Sequence, residues 1–129
     1  MDDRRKTQRK QTKNFFGVYH RETDEYIGRL FDLSTHGLLI LTKHTIHVNT
    51  VYEFRVDLPK PIAGKSCLTF SAECVWCRES TSSTKEYDAG FRIVDINFEE
   101  IKTIQYLLND PLFLDADEQP RITLIEKSS

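Results

Sequence analysis

The sequence predicts an all-β domain with one C-terminal helix, and three observations support this fold class. Short runs of β-branched and aromatic residues recur along the chain, separated by polar, glycine- or proline-containing turns. Apolar and polar residues alternate clearly in two of these runs, 51–58 and 67–78. Only the segment that begins at Asn97 has helical periodicity. About six strands at this spacing leave sheet edges that must be paired, and a nearly closed or closed antiparallel barrel capped by the helix pairs them.

The strands are predicted from these runs and from the turn residues between them. The six segments are 15–22, 26–34, 37–43, 51–58, 67–78 and 87–96. The segment 59–64 should end the fourth strand, because two prolines and a glycine do not fit a central strand. Strict alternation in the fifth strand places Trp76 on the same face as Phe70, so we expect Trp76 in the core.

The helix has a recognisable start and end. Asn97 is a suitable N-cap, Glu100 follows three residues later, and Pro111 cannot continue the helix. A mostly apolar stripe at helical spacing is predicted to face the barrel. Its members are Phe98, Ile101, Ile104, Gln105 and Leu108.

Length and charge suggest one domain with two extensions. The 129 residues suit a single core, with 39% hydrophobic and 29% charged residues. Residues 1–13 carry six positive and two negative side chains, whereas the rest of the chain is acidic. We expect a flexible basic arm at 1–13, the barrel and helix at 14–110, and a tail at 111–129 with a short strand at 121–126.

No segment has the length and hydrophobicity of a membrane span, and no apolar stretch follows the basic N-terminus. We therefore expect a cytoplasmic protein without a membrane span. We also expect no DNA binding, because the positive charge is confined to the arm and the barrel is acidic.

The cysteines and histidines do not form a recognisable metal or redox site. Cys74 and Cys77 form a CxxC string, but residues three apart on a regular strand point to opposite faces. His44 and His47 lack acidic or cysteine neighbours. The sequence therefore predicts structural thiols, no metal and no cofactor.

Two polar motifs interrupt this pattern. "RRKTQR" at 4–9 matches RRxxxR, and "DLSTHG" at 32–37 matches [D/N]xSxxG. Taken alone, the second motif is typical of a β-turn or bulge, because Asp, Ser, Thr and Gly all favour turns. It also offers a carboxylate, a hydroxyl and a glycine that permits close backbone approach.

The two motifs, in this order and with a predicted hairpin between them, resemble the signature of the PilZ domain, a bacterial cyclic di-GMP receptor family. "AECVWCRE" and "YDAGFRIVDI" also look like the last two strands of that family, so the resemblance covers roughly 4–108. It implies a six-stranded antiparallel barrel with a C-terminal helix, and cyclic di-GMP as the ligand.

The resemblance also implies roles for the arginines of the first motif. Arg5 and Arg9 are the two arginines of RxxxR, and Arg4 precedes them. In the family these arginines wrap a loop over the ligand and bind phosphate and guanine edges. Arginine suits this task because its planar donor fork fits phosphate oxygens and the O6/N7 edge of guanine.

For the second motif, the resemblance makes Asp32 an acceptor from guanine and places Ser34 near a phosphate. Gly37 would hold the backbone turn. The sequence thus predicts a cyclic di-GMP receptor that signals to an unidentified protein, which the family places in motility, pilus, exopolysaccharide or virulence machinery.

Three other functions remain open from the sequence. A PilZ-like domain can serve as a protein-interaction module without nucleotide. A small barrel of the OB type can bind single-stranded nucleic acid, and here Phe15, Phe16 and Tyr19 follow the arm, although the acidic barrel would repel a long phosphate chain. An enzyme is the third alternative, and the sequence predicts none, because no catalytic residues stand at a recognisable spacing.

Overall fold

A computed structural model describes residues 10–12, 14–80, 85–111 and 113–115, with side chains described for 14–80 and 85–111. The elements are β1 (Lys10–Thr12), β2 (Gly17–His20), β3 (Tyr26–Leu33), β4 (Gly37–Thr42), β5 (Val51–Ile62), β6 (Lys65–Glu79), β7 (Tyr87–Asp95), α1 (Phe98–Leu108) and β8 (Phe113–Asp115).

Six strands close into an antiparallel barrel, as predicted. The order around the barrel is β2-β5-β6-β7-β4-β3, and pairing of β2 with β3 closes it. Closure leaves none of these six strands as a free edge. Helix α1 follows β7 and packs mainly against β6 and β5.

Two short strands extend the sheet beyond the barrel. β1 pairs with β3, and β8 pairs with β1. β1 lies within the segment that the sequence suggests is a flexible arm, so at least Lys10–Thr12 has regular backbone pairing. The division at residue 13 stays a prediction, and the strand predicted at 121–126 lies outside the described residues.

The core contains the apolar face of each strand. The largest side chains that are essentially inaccessible to solvent are Phe16, Phe54, Phe70, Leu30, Leu33, Leu38, Ile40, Leu68, Ile104, Leu107, Val18 and Val56. Phe54 contacts Phe70 and Phe91 edge-on, with ring centroids 6.1 and 4.9 Å apart. Such edge-to-face pairs fix ring positions inside the barrel.

Trp76 is an exception to the predicted core, because it is 38% exposed. The pairing of β6 with β7 shifts between Cys74 and Trp76, which is a β-bulge. A bulge inserts one extra residue and reverses the inside-outside alternation beyond it. The prediction for Trp76 was therefore wrong, whereas Phe70 and Cys74, before the bulge, are buried as predicted.

The same bulge places Cys74 and Cys77 on the core-facing side of β6. Cys74 is fully buried, and Cys77 is partly buried and also packs against the core, so they do not face opposite ways. Both are free thiols, as is Cys67. Burial, together with the nearby Cys77, raises the pKa of the Cys74 thiol, although a backbone hydrogen bond at Trp76 opposes the shift.

The fourth strand is longer than predicted, since β5 continues through Pro59 and Pro61 to Ile62. Its regular pairing with β6 is interrupted between Asp57 and Ile62. Prolines are tolerated there because the interrupted ladder does not require their missing N–H groups. The hairpin then turns at Ala63 and Gly64, both with positive φ.

Helix α1 begins as predicted, with the Asn97 side chain accepting a hydrogen bond from the Glu100 backbone N–H at 3.0 Å. The predicted apolar stripe was partly wrong. Phe98 is 68% exposed. The buried residues of the helix are Glu100, Thr103, Ile104, Leu107 and Leu108.

The buried Glu100 ties the helix to β6. Its Oε2 lies 3.3 Å from the Lys65 Nζ and accepts a hydrogen bond from the Thr69 hydroxyl at 3.3 Å. These contacts lie at the first turn of α1, and they explain why the helix can turn a carboxylate inward there.

Candidate functional site

The turn between β3 and β4 is built around Ser34. Its Oγ accepts hydrogen bonds from the backbone N–H groups of His36 at 3.1 Å and Gly37 at 3.2 Å. The Ser34 N–H donates to the Gly37 carbonyl at 2.9 Å. Ser34 is fully buried, whereas His36 is exposed. The "DLSTHG" segment is thus a side-chain-stabilised turn.

Gly37 allows the turn to lie against β7. A β-carbon at this position would lie 2.4 Å from the carbonyl oxygen of Phe91. Real β-carbons are not found that close to a backbone oxygen, so only glycine fits without movement of a strand. Close approach, and not a positive φ, is the reason for glycine here.

Asp32 owes its position to a second bulge. The pairing of β3 with β4 shifts between Leu30 and Asp32. Leu30 and Leu33 enter the core, while Phe31 is only half-buried, although regular alternation along β3 would place Phe31 on the inward face with Leu33. Asp32 is 7% exposed, so its carboxylate is a largely desolvated group next to the surface.

Strand pairing places Asp32 in a row that crosses four strands. Asp32 on β3 is opposite Leu39 on β4, Leu39 is opposite Gly90 on β7, and Gly90 is opposite Trp76 on β6. Adjacent strands lie about 4.8 Å apart, so the row spans roughly 14 Å between its end residues. On its other side Asp32 is opposite Gln11 of β1.

This row forms the floor of an open cavity of about 300 Å³ on the outside of the barrel. The lining residues are Asp32, Leu38, Leu39, Val75, Trp76, Gly90 and Phe91. The cavity therefore has an acidic group at one end, an aromatic ring at the other and an apolar floor between them. Such a mixture suits a flat ligand with polar edges.

Gly90 lets the indole of Trp76 lie over the sheet. A β-carbon at Gly90 would lie 2.5 Å from Nε1 and Cε2 of Trp76. Because the ring extends over Gly90, the gap between it and Asp32 is about two strand spacings, roughly 10 Å. That width accommodates one nucleobase and a hydrogen bond at its edge.

Two arginines flank Trp76 along the strand direction. Arg78 places its guanidinium carbon 4.9 Å from the centroid of the Trp76 ring. Arg92 pairs with Glu73 on the opposite side of the row. Both side chains are more than 60% exposed, and each lies near a carboxylate, Asp88 for Arg78 and Glu73 for Arg92.

The structure brings together part of the predicted site. Asp32, Ser34 and Gly37 lie in and beside the β3–β4 turn, and Asp32 lines the cavity. Arg4, Arg5 and Arg9 lie outside the described residues. The strand pairings of β4, β6 and β7 add Leu39, Gly90 and the exposed Trp76, which no local sequence motif indicates.

The described part of the chain contains no group of three or more His, Cys, Asp or Glu residues arranged to hold a metal ion. Within the same residues, α1 is too short to cross a membrane.

Comparison with protein families identifies the domain. The family model of the PilZ domain matches residues 3–110, which is most of the chain. This protein belongs to the PilZ domain family. The match includes both the RRxxxR segment and the "DLSTHG" turn, so the predicted resemblance is confirmed.

Solved PilZ structures have the same fold. The PilZ domain of YcgR from Escherichia coli with cyclic di-GMP has a TM-score of 0.62 at 14% identity, covering 83% of this chain and 90% of that domain. The Bacillus subtilis inhibitor of motility MotI/DgrA has a TM-score of 0.63 at 13% identity, covering 83% and 51%. A second Escherichia coli YcgR structure with cyclic di-GMP has a TM-score of 0.63 at 17% identity, covering 82% and 45%.

At these identities the structural likeness establishes the PilZ fold. The chain spans about half the length of the last two proteins. No curated protein matches the sequence significantly.

Proposed function

We propose that this PilZ domain is a receptor for cyclic di-GMP. The observation that carries the proposal is the cavity in which Asp32, from one of the two family motifs, and Trp76 lie at opposite ends of one row. The presence of cyclic di-GMP in solved YcgR structures of the same fold supports the choice of ligand.

The chemistry of the cavity matches a guanine base. A carboxylate is the natural acceptor for the N1–H and N2–H donors of guanine, and such charge-assisted bonds are short and strong. An indole provides a face on which a base stacks, worth about 1–3 kcal/mol per base. We propose that one guanine lies above Leu39, between Asp32 and the indole of Trp76, and stacks against that ring.

Strand β1 places two residues of the basic segment, Lys10 and Gln11, beside this site. Lys10 of β1 is opposite Leu33, and Gln11 is opposite Asp32. Arg9 directly precedes Lys10 in the sequence, which supports a role for the RRxxxR arginines near the Asp32 carboxylate. We propose that Arg4, Arg5 and Arg9 bind phosphate oxygens and guanine edges of the ligand.

The turn residues support the site in different ways. The Ser34 hydroxyl is buried and engaged inside the turn, which supports a role in holding the backbone that follows Asp32. A contact between Ser34 and a ligand phosphate stays a prediction. Gly37 keeps the turn close to β7 and so keeps Asp32 in the row with Gly90.

Binding, and not catalysis, is the proposed activity, and the signal would pass to a partner protein in the cytoplasm. The name of MotI/DgrA, an inhibitor of motility, makes motility machinery one class of partner to test. Pilus, exopolysaccharide and virulence machinery are the others that the family suggests.

Calorimetric titration with cyclic di-GMP tests the proposal, with GTP and linear pGpG as controls. We expect a Kd of about 1 µM or tighter, which corresponds to roughly −8 kcal/mol. Arg5→Ala and Arg9→Ala should each weaken binding about tenfold or more, because each removes a charge-assisted contact worth about 1.5–3 kcal/mol.

Arg21→Ala is the matched control, since Arg21 pairs with Glu53 at 3.1 Å and does not line the cavity. It should bind like the wild type. Absence of heat together with no thermal stabilisation at ~100 µM cyclic di-GMP would contradict the proposal, because a micromolar ligand at that concentration adds about 2.7 kcal/mol of stability. A protein-interaction module without nucleotide would then be the better description.

A further inference from the structure

Arg78 lies beside the proposed base position and makes few contacts of its own. It follows Trp76 by two residues on β6, so both side chains are on the outer face. Its side chain is 66% exposed, and its Nε lies 3.8 Å from Oδ2 of Asp88. That distance is too long for a hydrogen bond.

Arg55 provides a comparison, because its guanidinium makes hydrogen bonds to carboxylates as well as a contact with an aromatic ring. Its guanidinium carbon lies 4.5 Å from the centroid of the Tyr19 ring, an arrangement similar to that of Arg78 and Trp76. Arg55, however, also donates to Asp24 and, at 2.9 Å, to Asp57, and its side chain is only 24% exposed. Among the described residues, Arg78 donates no comparable hydrogen bond, although arginine has five N–H donors.

Arg78 and Asp32 lie in different directions from Trp76. Asp32 lies across the strands from Trp76, whereas Arg78 lies about 7 Å along β6. A guanine that rests on Trp76 and turns its N1–H and N2–H toward Asp32 presents its adjacent edge, with O6 and N7, at a large angle to that row. Both atoms on this edge are acceptors, and a guanidinium fork binds them with two parallel bonds.

We propose that Arg78 is a specificity-determining residue that donates to O6 and N7 of the guanine stacked on Trp76. This inference rests on the proposed function. In the unliganded protein Arg78 lies over the indole, and on binding it moves to the edge of the base. In the unliganded protein the Asp88 carboxylate, 3.8 Å from the Arg78 Nε, holds the guanidinium near the ring.

The test compares cyclic di-GMP with its 7-deazaguanine analogue, in which the N7 acceptor is replaced by C–H. Both are titrated by calorimetry against the wild type, Arg78→Ala and Arg92→Gln. Arg92 is the matched control, because it is similarly exposed at 62% and also pairs with a carboxylate, Glu73. It lies on the other side of the Trp76–Gly90 pair.

We expect Arg78→Ala to weaken cyclic di-GMP binding about tenfold, since a good bidentate contact to guanine provides about 1–3 kcal/mol of discrimination. The preference for cyclic di-GMP over the 7-deaza analogue should fall at least about threefold in Arg78→Ala and stay unchanged in Arg92→Gln. A thermal midpoint equal to that of the wild type would show that Arg78→Ala is folded.

Two outcomes separate this inference from the proposed function. If the wild type binds neither nucleotide, the proposed function fails and the inference fails with it. If the wild type binds cyclic di-GMP but Arg78→Ala retains the full preference over the 7-deaza analogue, the receptor function stands and the role of Arg78 is wrong. An equal loss of preference in Arg92→Gln also contradicts the inference, because it would indicate general electrostatics.

Discussion

Replacement of Asp32 by alanine is expected to weaken cyclic di-GMP binding by about 10- to 150-fold. The lost contact is a carboxylate paired with guanine donors, and hydrogen bonds to charged groups contribute about 1.5–3 kcal/mol. The low exposure of Asp32, 7%, strengthens the contact, because solvent screens it little. Asp32→Asn should lose less affinity, since the amide oxygen still accepts one bond.

Calorimetry measures this effect, with urea unfolding to show that the variants are folded. Asp57→Ala is the matched control, because Asp57 is a half-buried carboxylate on β5 that pairs with Arg55 and lies outside the cavity. It should leave the Kd unchanged. Equal affinities of Asp32→Ala and the wild type would place the ligand elsewhere on the barrel.

Replacement of Gly37 by alanine is expected to destabilise the domain by about 1–3 kcal/mol and to reduce ligand binding, because overpacking forces the backbone to move. The new β-carbon would lie 2.4 Å from the carbonyl oxygen of Phe91, so β4 must move away from β7. The row from Asp32 to Gly90 crosses these two strands, so the cavity changes shape with them. Urea unfolding measures the first effect, and titration under native conditions measures the second.

Gly17→Ala provides a comparison with a different kind of neighbour. There a β-carbon would approach the ring of Tyr19, at 2.8 Å, and the side chain can turn away. We expect a loss of about 1 kcal/mol or less at Gly17. If Gly37→Ala were as stable as Gly17→Ala, the close approach of β4 and β7 would not be the reason for glycine in the "DLSTHG" turn.

Most of the barrel could be predicted from the sequence, because its strands alternate regularly and its turns contain the expected residues. The N-cap of α1 was predictable for the same reason, since Asn97 and Glu100 form a local pattern. The inside-outside positions that strand alternation predicts incorrectly lie where a bulge interrupts that alternation. Phe31 and Trp76 lie at bulges, and a bulge reverses the alternation without a residue type that marks it.

The buried face of α1 was less predictable. Ile104 and Leu108 were placed correctly, but Phe98 is exposed and Glu100 is buried, because Lys65 and Thr69 receive the carboxylate. A contact between residues about 30 positions apart in the chain has no local signature. β1 escaped prediction as well, since its polar residues pair through the backbone and not through an apolar face.

The candidate site likewise contains residues of a local motif, which could be predicted, and residues brought together by strand pairing, which could not. Asp32, Ser34 and Gly37 belong to one short motif and could be named from the sequence. Trp76 and Gly90 join Asp32 only through the register of β3, β4, β7 and β6, which depends on pairing between distant segments. Asp32, at one end of the cavity, could therefore be named from the sequence, whereas the position of Trp76 at the other end became visible only in the fold.

The fluorescence of Trp76 during titration with cyclic di-GMP tests the central claim most directly. Trp76 is the only tryptophan in the chain, so any change in indole emission reports on this cavity alone. We predict saturable quenching with the same Kd as calorimetry, because a stacked guanine alters the environment of the ring, and loss of that response in Asp32→Ala. Calorimetric binding without a change in Trp76 emission would contradict a ligand position on the Asp32–Trp76 row.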